Sequence, residues 1–163
     1  MADVPSRRTL AYGEPTIDVT FSEPRAGWLP LRITTNDVEL SLAVSYTPND
    51  FVQELLAGLS LALQRGVGRA VASREPQVWE FVFTPSNAGL AFDIIEYPAW
   101  NRQHSEGKKR FSIHGTPSEV VTPFWKALGA LEGKIRPDEY RAAMCRDFPA
   151  ESLRSLSRLL GKG

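Results

Sequence analysis

Apolar and polar residues alternate along Ile17, Val19 and Phe21, again along Leu29, Leu31 and Ile33, and from Val38 through Leu40, Leu42 and Val44 to Tyr46. A period of two sends every second side chain to one face, so each run predicts a half-buried strand. Pro24 to Gly27 and Asn36-Asp37 supply turn residues between them, and short turns between successive strands predict an antiparallel meander.

The period then lengthens. Phe51, Val52, Leu55, Leu56, Leu59 and Leu63 recur at three- and four-residue steps, which predicts a helix with a broad apolar stripe. Gly66 is its natural stop, and Gly58 within it weakens a helix by about 1 kcal/mol relative to alanine. Arg69 to Ser73 fits a short strand without requiring one. Glu75-Pro76 breaks the chain before a second alternating block, Trp79, Phe81 and Phe83, which a Pro85–Gly89 hairpin joins to Leu90–Tyr97. Asp93 in that strand is expected to be buried or edge-facing. After a polar stretch, Phe111 and Ile113 mark another strand.

A helix burying Val120, Val121, Phe124, Leu128 and Leu131 is expected from Thr116 towards Gly133, bent or shortened by Pro123. The segments Pro137–Arg146 and Pro149–Leu160 both look helical. Leu153, Leu156, Leu159 and Leu160 give the last an apolar face, and a helix this short needs a surface to dock on.

One short phrase occurs twice. Thr47-Pro48-Asn49-Asp50-Phe51-Val52 and Thr116-Pro117-Ser118-Glu119-Val120-Val121 each follow an alternating strand and open an apolar helix. Threonine at an N-cap accepts a backbone N–H, proline next to it loses no useful donor, and the acid at the third position completes a capping box. Ancestral duplication of a βββα unit and convergent capping both account for the repeat.

The expected fold class is α+β: a mostly antiparallel sheet of six or seven strands carrying the two Thr-Pro-capped helices. The organisation expected is a flexible arm over residues 1–14, an α+β domain over 15–133, and a helical tail over 134–163 packed on that domain or on a partner. At 163 residues the chain is long enough to bury roughly 70% of its unfolded surface without metals or disulfides.

Charge and cysteine content narrow the function classes. Lys plus Arg equal Asp plus Glu at 19 each, so no global field favours nucleic acid or anionic membranes. Cys145 is the only cysteine, which excludes an intrachain disulfide and a cysteine metal cage. The first 14 residues contain Arg7, Arg8, Pro5 and Gly13 without the apolar stretch of a signal peptide, and no apolar run approaches ~18 residues. A cytoplasmic protein is expected.

The best candidate for function is the polar connection from Trp100 to Arg110, longer than a hairpin needs. Trp100, Arg102, His104, Lys108, Lys109 and Arg110 combine an aromatic platform with cations able to clamp an anion. The competing expectation is a solvated loop with Trp100 folded onto the core.

Other chemistry is thinner. His104 and His114 are the only histidines, and joining Asp93 or Glu96 they would supply metal ligands or a general base. His114 more simply ends a strand and His104 faces solvent, so no metal or cofactor is expected. There is no G-x-S-x-G elbow, and Ser112 beside His114 lacks an orienting acid. Cys145 lies near Arg141 and Arg146, which would favour a thiolate, although a structural cysteine is the simpler reading. Arg65-Gly66-Val67-Gly68-Arg69 follows a helix, where a phosphate loop would precede one. The tail arginines, Arg154 and Arg158 among them, alternate with acids as on a solvated face.

The order of features over residues 38–97, from the leucine-rich helix through Glu75-Pro76 to Trp79-Glu80-Phe81-Val82-Phe83 and its hairpin, resembles that of small uncharacterised bacterial proteins. Some such proteins are immunity partners of polymorphic toxins. The resemblance implies a fold that serves protein binding and implies no catalytic residue. The expectation is therefore a non-catalytic protein-binding module with a protein partner or a second copy of itself; binding to membranes is not expected, and nucleic acid is disfavoured. The alternative is a small-ligand binder or enzyme whose cleft between sheet and helices gathers Asp93, Glu96, His104 and His114.

Overall fold

A computed structural model describes residues 17–162 of the chain; the arm expected over residues 1–14 lies outside that range. The fold class is α+β. Among the described residues, seven antiparallel strands form two sheets, and four α-helices pack with them.

The first sheet is the expected meander: β1 (Asp18–Phe21), β2 (Trp28–Thr34) and β3 (Glu39–Ser45), in that spatial order. Its alternation is read out except at Val38, which precedes the third strand and is exposed. Phe21, Leu29, Leu31, Ile33, Leu42 and Val44 enter the core, while Arg32 and Glu39 form an ion pair of 2.7 Å on the solvent face. The helix α1 (Phe51–Arg65) follows. The second sheet then runs β4 (Gly68–Ser73), β5 (Val78–Ser86), β6 (Gly89–Tyr97) and β7 (Lys108–Gly115), again in chain order. The helices α2 (Pro117–Lys134), α3 (Pro137–Met144) and α4 (Ala150–Leu159) complete the chain.

The expectation of one sheet is corrected: the strands divide three and four. The break follows from α1, which intervenes after β3 and occupies the edge of β4. Glu54 on α1 accepts the Val71 N–H (3.0 Å), and Asn49 donates to the Val71 carbonyl (2.8 Å) and to Glu54 (2.8 Å). Side chains thus satisfy backbone groups that a neighbouring strand would otherwise pair. Gly58 makes this approach close: a Cβ there would lie 2.8 Å from the Arg69 carbonyl oxygen. The ambiguous segment before Glu75 is a full strand, β4.

The two Thr-Pro phrases differ in structure. Thr116 caps α2 with a complete capping box, its hydroxyl accepting from Glu119 N (3.1 Å) and Glu119 accepting from Thr116 N (2.9 Å). At α1 the cap is Asp50, whose carboxylate accepts from Gln53 N (3.2 Å). Thr47 instead takes part in a cluster with Ser45 and Glu75. The expectation that Thr47 caps the first helix is corrected, because a carboxylate nearer the helix takes the free backbone donor. Pro123 is accommodated within α2, which continues to Lys134.

Both sheets and the helices share one core. Phe92 is its hub, with the rings of Phe81, Phe83, Phe111 and Phe124 at centroid distances of 4.9–5.6 Å. The edge-to-face and offset arrangements suit aromatic quadrupoles. Tyr140, Met144, Leu153 and Leu156 bring the C-terminal helices into the same core. Polar ties reinforce the docking: Gln53 with Ser152 (3.0 Å), Trp125 Nε1 donating to Ser157 (2.6 Å), and Arg146 donating to the Tyr46 carbonyl (2.6 Å).

Candidate functional site

In β5, Trp79, Phe81 and Phe83 point into the core, so pleating directs Glu80 and Val82 to the opposite face of the second sheet. Register places Arg69 beside Val82 and Ile95 beside Glu80, and Tyr97 closes β6 on that same face. The Pro98–Gly107 connection folds back over it. Gly107 permits the approach, because a Cβ there would come within 2.9 Å of both Ile95 and Tyr97.

The result is a broad-mouthed cleft of about 540 Å³ between the outer sheet face and the loop. Val82 and Ile95 contribute apolar surface, Tyr97 and Trp100 aromatic surface, and Arg69, Glu80, Arg102 and His104 its polar groups. Glu80 is the central charge. It is only 6% exposed, and one of its carboxylate oxygens receives both the Arg69 and the Arg102 guanidinium groups. A buried carboxylate requires such compensation. Two cations on one anion leave these three side chains with a surplus positive charge.

Arg102 is held from several sides. Its guanidinium lies 5.4 Å from the Trp100 ring centroid and 6.0 Å from that of Tyr97, within the range of cation–π attraction. It also donates to the Trp100 carbonyl at 3.3 Å. Trp100 is fixed at the other end, where its indole N–H reaches the Ser73 hydroxyl (3.4 Å), yet the residue remains 38% exposed. The ring is thus anchored at the edge of the cleft while retaining substantial solvent exposure.

The structure brings together three of the six residues singled out in the sequence: Trp100, Arg102 and His104, the last opening a 3₁₀ turn over His104–Glu106. Lys108, Lys109 and Arg110 belong to β7. Lys109 lies 3.8 Å from Asp93, Arg110 pairs with Glu96 at a register shift in the strand, and Lys108 is exposed at the sheet edge. Asp93, Glu96, His104 and His114 do not converge. The two acids are engaged with β7 cations, and His114 is exposed opposite Ala91. Among the described residues, no three His, Cys, Asp or Glu side chains are grouped to hold a metal.

Arg69, Glu80, Val82, Ile95 and Tyr97 are the cleft residues that sequence reasoning missed. One signal was present: Glu80 is the lone charge in Val78-Trp79-Glu80-Phe81-Val82-Phe83. Alternation gives its face, but its burial depends on a loop more than 15 positions downstream. No helix among the described residues is long and apolar enough to cross a membrane. Against known proteins, no family model, no curated protein and no solved structure matches this chain.

Proposed function

We propose that the chain is a non-catalytic protein-binding module whose contact surface is the outer face of the second sheet, centred on Trp100. The observation that carries this reading is the anchored, partly exposed indole beside Arg102 and Tyr97 at a broad-mouthed cleft. Tryptophan, tyrosine and arginine dominate binding hot spots because they offer large contact areas and directional polar groups. Prior immobilisation reduces the entropy lost on binding.

Immunity or inhibitor activity is one concrete form of such a module, in keeping with the resemblance over residues 38–97. A cytoplasmic setting fits the free, exposed Cys145. The small-ligand or enzyme reading has less support, since its four proposed polar residues do not meet across the cleft.

Replacing Trp100 and Arg102 together with alanine should weaken capture of a stoichiometric protein partner by about tenfold or more. Trp100→Ala alone, which leaves the Glu80 ion pairs in place, serves as the fold-preserving companion. Quantitative affinity capture from lysate of the source organism, with matched thermal melts, measures this. Unchanged capture by both variants would remove this face from the proposal.

A further inference from the structure

We infer that the cleft reads an acidic side chain, the carboxylate of an Asp or Glu in a segment of the protein partner, placed beside an apolar or aromatic residue. This rests on the protein-binding reading and adds the chemistry recognised.

The donors support it. Arg69 uses Nη2 on Glu80, while Arg102 uses Nε on Glu80 and Nη1 on the Trp100 carbonyl. Among the described residues, Nε and Nη1 of Arg69 and Nη2 of Arg102 have no acceptor. Both guanidinium groups reach the same carboxylate oxygen, and both arginines line the cleft. Glu80 does not cancel them: its single charge faces two cations. Bound to buried Glu80, the guanidiniums are oriented before a ligand arrives, and an incoming carboxylate would meet charge-assisted donors. Trp100, Tyr97, Val82 and Ile95 offer flat apolar surface beside those donors for the neighbouring residue of the segment.

A nucleic-acid phosphate shares the charge but fits the face less well. Tracking a phosphate backbone needs a run of unpaired cations. Here Lys109 lies by Asp93, Arg110 pairs with Glu96, and Glu80 sits between the arginines. The mixture of charges suits one acidic group set among neutral ones.

The test is an NMR titration of the isotopically labelled full chain, following the Trp100 indole N–H (assigned with Trp100→Phe) and the Arg102 Nε–H. The probes are acetyl-Glu-Leu-Glu-Tyr amide, its Gln-Leu-Gln counterpart, and single-stranded oligothymidylate. The acidic peptide should shift both signals saturably, and bind about tenfold more tightly than the glutamine peptide. Its binding should weaken by a similar factor in Arg69→Gln, which retains the Arg102–Glu80 pair, and should fall with added salt. Equal binding of the two peptides, no shift with the acidic one, or tighter binding of the oligonucleotide would each overturn the inference. The two readings fail separately: a captured partner that depends on Trp100 but is indifferent to Arg69→Gln and to salt preserves the module and removes the carboxylate, whereas capture unchanged by Trp100→Ala and by the double replacement removes the module's contact face.

Discussion

A methyl group at Gly58 would sit 2.8 Å from the Arg69 carbonyl oxygen and 3.0 Å from its nitrogen. Both are backbone atoms of β4, so relief requires moving the helix away from the strand. At Gly129, on the exposed face of α2, an added Cβ meets nothing within 4 Å. Helix propensity favours alanine at either site by about 1 kcal/mol, whereas overpacking costs about 1–3 kcal/mol. Only Gly58 suffers the second effect. Gly129→Ala should therefore stabilise the protein by about 0.5–1 kcal/mol, and Gly58→Ala should destabilise it by up to about 2 kcal/mol. Chemical denaturation of both variants checks the opposition of sign; a stabilised Gly58→Ala would show that α1 and β4 are not held at this separation.

The two helix starts can be separated by the same kind of measurement. Asp50→Ala and Thr116→Ala should each cost about 1 kcal/mol, because each removes the acceptor for a backbone N–H in the first helical turn. Thr47→Ala should leave the α1 cap intact, and its cost should instead depend on Glu75: in a double-mutant cycle Thr47 couples to Glu75 and not to Asp50, the residue that caps α1. Coupling of Thr47 to the start of α1 would restore the Thr-Pro cap at both helices. The difference also marks how far sequence could reach. Strands and helices were legible because period two and period 3.6 are local properties, and β1 to β3 follow that alternation closely. The cap of α1 was ambiguous because Thr47 and Asp50 are both good capping residues only three apart. The division into two sheets was not legible at all: it depends on Glu54 and Asn49 meeting Val71 across the fold. At the cleft, Trp100, Arg102 and His104 stood out as a cluster in a long connection. Arg69 and Glu80 joined them only through sheet register and loop closure.

Across the whole molecule, the C-terminal helices close the core, α3 against β2 and α4 against α1 and α2, and Tyr140 is their largest fully buried side chain. It packs edge-on against Phe148 at 5.3 Å, while the adjacent chain ties back through Gly27 N to the Ala143 carbonyl (2.7 Å) and Arg146 to that of Tyr46. Burial pushes the Tyr140 phenol well above its ordinary value, with the negative charge of Asp50 acting the same way and Arg146 opposing. Below pH 10 the phenol is protonated in both folded and unfolded chains, so its contribution to stability is fully present. Above pH 10 the unfolded chain ionises first and binds fewer protons than the folded one. Stability must then fall as pH rises towards the folded value, with a slope of at most about 1.4 kcal/mol per pH unit from this group. Tyr140→Phe removes the ionisation and keeps the ring. The variant should therefore lose less stability than the parent between about pH 10 and 12, while the other tyrosines and the lysines contribute equally to both chains. Denaturant melts across that range provide the comparison. Parallel curves would mean that Tyr140 ionises as readily in the folded chain as in the unfolded one, and hence that α3 is not seated in the core.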